Sequence, residues 1–357
     1  MMPSKIALIN VRVFDGAKFC EPGTVVIDGE LIGSSAEGAQ LIDCHENFLL
    51  PGFIDAHVHL AGEHNLQQLA SFGITTALDM TTRPQSLLDS LRSKKGVTDI
   101  RSAGIGATSP GSKHSQFPLW PRESLVSNPT DAERFVKDRI AEGADYIKII
   151  IDIPGPDQAT VNALVSAAQS HGKLAVAHAV STATYAMAQE AKVDMITHAP
   201  VDAVPSAAFI TRMAADGTVV IPTLTMMERV IIGTPGPNRD YKHARASVNA
   251  FHKAGIPILA GTDANSMPLA PFPVPHGESL HREMELLVEA GMNTVDVLRA
   301  ATGLPAKYFG LGDRGDVRPG MRADLVLLGE DPLSDIRATR CLRRVWCRGV
   351  EVRPASW

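Results

Sequence analysis

The chain is short of several features that would place it in a class at once. It holds four cysteines in 357 residues, Cys20, Cys44, Cys341 and Cys347, and none falls between His57 and Asp263. Free thiols, rather than a disulfide framework or sulfur ligands for a central site, are the expectation. There is no basic block, and the formal net charge is -5, which argues against nucleic acid as a partner. No apolar run reaches the length needed to span a bilayer, so no membrane partner is expected. The strand-like start Ile6-Ala7-Leu8-Ile9 lacks the charged and apolar regions of a secretory signal, and a cytoplasmic protein is expected. What remains is ordinary for a globular protein, with 45% hydrophobic and 20% charged residues. The length suits one large domain, or a barrel with a small accessory domain.

Residues 1–50 read as short strands with tight turns. Thr24-Val25-Val26-Ile27, Asp28-Gly29 and Glu30-Leu31-Ile32 together make a hairpin signal. The other end reads alike, with a buried strand at Asp324-Leu325-Val326-Leu327-Leu328 and a closing hairpin within 345–352. Neither end can bury a sheet face alone. Residues 1–50 and 315–357 are therefore expected to pair into one small β-sandwich domain. Residues 51–314 alternate strand candidates (53–58, 74–79, 99–105, 145–151, 173–178, 194–198, 218–223, 256–261) with helical patterns. Eight strand-helix units predict an α/β fold, a (β/α)₈ TIM-like barrel. The rival doubly wound sheet usually has a glycine-rich turn after its first strand. Here the first strand ends in His57-Val58-His59.

Those two histidines point the same way from a strand, because side chains alternate between faces. Imidazole is a common ligand for zinc and its neighbours. In a barrel, functional groups sit at the carboxyl ends of strands, and the other candidates supply them in turn. Lys148 interrupts the apolar fourth strand, His178 ends the fifth and His198 the sixth, and Asp263 follows the eighth. Each has a bland reading alone: a capped strand end, a snorkelling lysine, a turn aspartate. Together they are hard to assign to chance.

The chain here resembles the amidohydrolase superfamily in its binuclear, metal-dependent branch, near the imidazolonepropionase-like and prolidase-like members. The similar stretches are Pro51-Gly52-Phe53-Ile54-Asp55-Ala56-His57-Val58-His59, Tyr146-Ile147-Lys148-Ile149, Gly261-Thr262-Asp263-Ala264, His276 to Glu283, Leu298 to Thr302 and Pro319 to Val326. The resemblance implies two divalent metal ions, with zinc the usual choice. His57, His59 and Asp263 would bind the more buried ion, and His178 and His198 the second. Lys148 would bridge both as a carbamate made with carbon dioxide. An ammonium has three donors and no acceptor, so it cannot ligate a cation, whereas a carbamate offers two anionic oxygens.

Two such cations can acidify a bridging water toward neutrality and polarise a carbonyl. Asp263 is placed to take the water proton as catalytic base and later deliver it to a leaving nitrogen. The expected reaction is hydrolysis of a C–N bond, an amide or cyclic amide, in a small molecule such as an N-acyl amino acid, dipeptide or lactam. A lactonase or esterase, a deaminase and a decarboxylase on the same scaffold are the alternatives, with a non-catalytic scaffold last. Deaminases of this kind need an acid near the fifth-strand histidine, and Ala179-Val180-Ser181 follows His178. Loops should select the substrate. His114 matches a substrate-contacting histidine of related proteins, and Thr223 can line the pocket. The segment 266–276 is proline-rich and can form a stiff rim, and His276 is expected to be structural. No paired-arginine motif for a substrate carboxylate is evident, although Lys113, Arg229 or Arg239 can serve. A homo-oligomer is expected.

Overall fold

A computed structural model describes residues 5–117, 120–234, 236, 238–266 and 272–356. Five strands open the chain: β1 (Ile6–Val13), β2 (Gly23–Asp28), β3 (Leu31–Gly33), β4 (Gln40–Asp43) and β5 (Phe48–Pro51). Seven short strands follow: β6 (Phe53–Val58), β7 (Ile74–Asp79), β8 (Asp99–Ser102), β9 (Ile147–Ile150), β10 (Ala175–His178), β11 (Met195–Thr197) and β12 (Val219–Ile221). Three more close it: β13 (Leu325–Leu328), β14 (Leu342–Cys347) and β15 (Val350–Val352).

The first and last groups meet. β13 runs antiparallel to β5, with Leu325 opposite Pro51, and gives an eight-stranded sheet ordered β15-β14-β13-β5-β1-β2-β3, with β4 beside β1. One apolar cluster serves both ends, drawing Leu8, Val11 and Ile27 from the start and Leu325, Leu327 and Trp346 from the finish. The β14–β15 turn is Arg348-Gly349, both left-handed (φ 54° and 75°), as a two-residue type I′ hairpin turn requires. Gly349 is fixed by packing as well, since a Cβ there would overlap the Gly29 carbonyl in the β2–β3 turn.

The middle of the chain is a mixed α/β fold with parallel sheets. β6-β7-β8 and β12-β11-β10-β9 are each parallel throughout. Every residue of β6, β7 and β9 is buried, as expected for strands covered on both faces. Backbone bonds join the two sheets at both margins. The Ala107 amide donates to Lys148 O and the Ile150 amide to Ala107 O (both 2.8 Å). At the other margin Leu259 donates to Val220 O (2.9 Å), Ala56 to Ala260 O (2.9 Å) and Asp263 to His57 O (2.8 Å). The expected eighth strand is thus present only as bridges, Ile258 to Val220 and Ala264 to Val58. Pro257 has no amide donor for a ladder. Gly261 is a point of close approach, where a Cβ would stand 2.6 Å from Ile221 and 2.9 Å from the His57 nitrogen.

Eleven helices are described: α1 (Glu63–Ser71), α2 (Gln85–Leu91), α3 (Pro129–Ala141), α4 (Gln158–Ser170), α5 (Thr182–Glu190), α6 (Ala207–Asp216), α7 (Leu224–Gly233), α8 (Tyr241–Lys253), α9 (Glu278–Glu289), α10 (Thr294–Ala300) and α11 (Gly303–Tyr308). α1 to α6 follow the parallel strands and pack Leu66, Val136, Leu164 and Tyr185 into the main core. α7 was not anticipated from the sequence, and it brings three apolar side chains to the site described below. None of the described helices is long and apolar enough to cross a membrane.

A buried ion network ties the parallel strands to the C-terminal segment. Asp99, at the start of β8, meets Arg314 at 2.7 Å and Arg322 at 2.8 Å, and Arg322 meets Asp324 at 2.8 Å. Burial pushes the Asp99 carboxyl up, but Arg322 and Arg314 override it and hold it at about 2.

Candidate functional site

The carboxyl ends of the parallel strands converge on one cavity of about 400 Å³. β6 carries His57 and delivers His59 one residue past its end. Lys148 lies within β9, His178 ends β10, and His198 follows β11. All five, with Asp263, line the cavity.

His57, His59 and Asp263 form the tightest group. The two Nε2 atoms are 3.4 Å apart, and Asp263 Oδ1 lies 3.3 Å from His57 Nε2 and 2.9 Å from His59 Nε2. Two ligands about 2.0–2.1 Å from one tetrahedral ion stand roughly 3.3–3.4 Å apart, so the donor set fits a metal ion. Burial lowers His57 to about 3, against the pull of Asp263. For His59, burial acts downward, but its bond to Asp263 wins and raises it. Burial raises Asp263, yet His57 and His59 carry it well below the ordinary carboxylate range. Asp55 braces the group from beneath, accepting from the His57 amide (3.1 Å), the Thr262 amide (3.0 Å) and the Thr262 hydroxyl (2.7 Å). His276 accordingly has a structural place, with Nε2 2.9 Å from the His59 carbonyl oxygen.

A second group departs from the expected ligand set. His114, Asp152 and His178 place one ligand atom each within 4.8 Å of one another. His114 Nδ1 is 2.7 Å from Asp152 Oδ2. Burial raises Asp152, but the bond from His114 overrides it and holds it at about 2. Asp152 is a site residue that sequence reasoning missed. The signal available was its position just past the fourth strand, masked by the turn-like Asp152-Ile153-Pro154. His178 also packs on His198, their ring centroids 4.4 Å apart, and His198 on His57 at 5.0 Å. His198 therefore stands between the two groups, and burial holds both it and His178 well below the usual histidine range. Lys148 donates to the Thr197 hydroxyl at 2.7 Å, and burial lowers its ammonium to about 7.

Thr223 requires a correction. Expected to line the pocket, it is fully buried, and its hydroxyl lies 2.8 Å from His198 Nδ1. The cause is backbone conformation. His198 and Thr223 come just after β11 and β12, Asp263 lies in the bridging stretch beside them, and all three adopt left-handed φ, at 74°, 45° and 59°. Such angles are uncommon outside glycine, and a β-branched residue there is an outlier. The reversal turns Thr223 toward the histidine, and the next residue starts α7. Glu283 of α9 secures that start, accepting from the Leu224 amide (2.9 Å), the Thr225 amide (2.7 Å) and the Thr225 hydroxyl (2.8 Å). Met226, Met227 and Val230 of α7 then form one cavity wall, and Phe117, Trp120 and Phe272 form others. Of the proline-rich rim, residues 267–271 lie outside the described residues.

Paired imidazoles with a carboxylate, gathered near the carboxyl ends of parallel strands, make a group that could hold a metal ion. The chain belongs to the amidohydrolase family, whose profile matches residues 48–352. It is 25% identical over 338 residues to an uncharacterized protein of Mycobacterium tuberculosis (strain ATCC 25618 / H37Rv), covering 86% of this chain and 85% of that one. It is also 25% identical over 338 residues to the adenine deaminase of Cereibacter sphaeroides (strain ATCC 17025 / ATH 2.4.3), covering 91% of this chain but 55% of the deaminase. Among solved structures, a Xaa-Pro dipeptidase with bound methionine in its active site superimposes with a TM-score of 0.83 at 23% identity, over 98% of this chain and 99% of that one. Molinate hydrolase superimposes with a TM-score of 0.81 at 20% identity, over 99% and 95%. These last two likenesses bear on the fold.

Proposed function

We propose that this protein is a binuclear metal-dependent hydrolase that cleaves a C–N bond, an amide or cyclic amide, in a small molecule. The observation that carries the reading is the convergence of His57, His59, Lys148, His178, His198 and Asp263 on one cavity. The proposal extends to the architecture. The two parallel sheets and the bridging stretch 256–264 make one closed (β/α)₈ barrel over residues 51–314, and residues 1–50 and 315–357 make a β-sandwich domain. Hydrogen bonds at both sheet margins support that closure. A cytoplasmic homo-oligomer completes the proposal.

His57, His59 and Asp263 would hold one divalent ion, most readily zinc. His178 and His198 would hold the second, with Asp152 close by. Lys148 would bridge them as a carbamate. With its ammonium lowered to about 7, a large share of the amine is neutral at pH 7, and only a neutral amine has the lone pair that attacks carbon dioxide. Bound divalent ions would supply a water acidified toward neutrality and a Lewis acid for the scissile carbonyl. Asp263 has one oxygen to spare. Oδ1 faces His57 and His59, while Oδ2 is 3.9 Å from His198 Nδ1. Oδ2 is therefore the atom that takes a proton and later passes it to the departing nitrogen, which leaves poorly unless protonated.

The test is metal analysis of the purified protein, then a screen of N-acyl amino acids, dipeptides, lactams, esters and lactones. Chelation should abolish amide hydrolysis, and zinc or manganese should restore it. Cleavage of esters or lactones alone by a metal-loaded preparation would overturn the C–N assignment. The similarity to adenine deaminases favours one further reading, loss of ammonia from a nucleobase. Adenine therefore belongs in the screen, with ammonia as the readout.

A further inference from the structure

We infer that the substrate of this cavity carries a carboxylate on an apolar body, and that Arg83 receives it. The inference rests on reading the cavity as the hydrolytic site and adds the class of molecule it accepts.

Arg83 follows β7 in Thr81-Thr82-Arg83-Pro84 and lines the cavity. Among the described residues its Nη1 is shielded from water and has no hydrogen-bond partner. Its described contact is with an aromatic face: the guanidinium carbon lies 5.2 Å from the Trp120 ring centroid. Glu123, which is exposed, acts on it through charge without contact. A dehydrated cationic donor without an acceptor is costly. A cation–π contact of this kind takes up none of the N–H groups of the guanidinium. Nη1 itself is closed to a water-sized contact, so the N–H groups on the half-buried remainder of the guanidinium are the ones that can meet the two oxygens of a carboxylate.

The charge around the cavity points the same way. Lys113 and Arg239 also line it. Among the described residues, Arg239 donates to neutral acceptors, the Thr234 carbonyl (3.1 Å) and hydroxyl (2.7 Å). The lining acids are already engaged, Asp152 with His114 and Asp263 with His57 and His59. Among the described lining residues, the outer part of the cavity thus carries cations without a free carboxylate beside them, and Glu123 lies off the lining. Phe117 and Trp120 on one side, and Met226 and Phe272 elsewhere, supply apolar surface for the rest of the substrate. Arg229 is not among the described lining residues, whereas Arg83 is.

The test separates binding from turnover. The probes are 2-benzyl-4-(hydroxyamino)-4-oxobutanoate and its primary amide, which differ in the carboxylate alone. Calorimetry on the metal-loaded protein should give the carboxylate probe at least tenfold tighter binding. Arg83→Gln should bring the two probes within about twofold of each other, with the melting temperature unchanged. Equal affinities in the wild type, no binding of the carboxylate probe, or a preference that survives Arg83→Gln would each overturn the assignment. In parallel, kcat/KM is measured for N-acetylphenylalanine and N-acetylphenylalaninamide. Carboxylate selectivity in binding, with no amide or lactam cleaved anywhere in the screen, would overturn the hydrolytic reading and leave Arg83 as the anion site.

Discussion

Thr223 offers a way to measure what the site costs the fold. Its hydroxyl is the 2.8 Å partner of His198 Nδ1, and both residues are buried. Its backbone sits at φ 45°, a conformation that costs a β-branched residue about 1–2 kcal/mol. Two substitutions separate these terms. Thr223→Val keeps shape and strain but removes the hydroxyl. Asp263 Oδ2 is then 3.9 Å from Nδ1, too far to replace it, so a buried ring nitrogen goes unpaired at a cost of about 1–3 kcal/mol. At about 2 °C per kcal/mol for a chain of this size, the melting temperature should drop by roughly 2–6 °C. An unheld His198 should also weaken metal binding by about 10–100-fold, the usual effect of losing a partner that orients a ligand. Thr223→Ser keeps the hydroxyl and sheds the β-branch, so it should melt at or slightly above the wild type and retain its metal. Scanning calorimetry and plasma-emission metal analysis read both quantities. Wild-type stability and metal content in Thr223→Val, or loss of metal in Thr223→Ser, would refute the argument.

Lys148→Ala should lose bound metal and most activity, with partial recovery on adding short carboxylates; a full metal complement in that variant would argue against the bridging role. Asp263→Asn keeps an acceptor but cannot carry the proton, so turnover should fall roughly 10²–10⁴-fold, and a wild-type rate would remove Asp263 from proton transfer. Asp99 titrates at about 2 in the fold, below the ordinary aspartate value near 3.9. The folded form therefore stays ionised where the unfolded form takes up a proton. The stabilisation, about 2 kcal/mol, is complete above about pH 5 and is lost progressively as pH falls through about 2. Asp99→Asn should thus be destabilised at pH 7 in urea titrations and should close the gap on the wild type with acidification, whereas a pH-independent gap would count against the ion network.

The metal-type residues were legible because the physics of strands exposes them. A polar side chain at the end of a buried apolar run, as at His178 or His198, has few structural reasons to be there. His57 and His59 were readable from alternation alone. What was hidden lay in loops, where neither period applies. Arg83 sits among threonines before a proline, and nothing local separates it from a surface arginine. Asp152 precedes Ile-Pro and reads as a turn. α7 was missed because Leu224-Thr225-Met226-Met227 continues the apolar character of the strand before it. The reversal at Thr223 that starts the helix depends on a backbone angle that threonine does not advertise. The eighth strand was overestimated, because Pro257 and Gly261 leave it only bridging contacts.

The joining of β5 to β13 sets an order on synthesis. β5 leaves the ribosome long before β13, the neighbour that covers its open edge. Leu49 and Leu50 on β5 must wait, uncovered on that edge, while the whole catalytic segment is translated. Pairing so distant in sequence is slow to form, and an open apolar edge invites association with other chains in the meantime. Overexpression should therefore be limited by the supply of holding chaperones rather than by the stability of the finished fold. Truncation before Leu325 should yield aggregated rather than merely inactive protein.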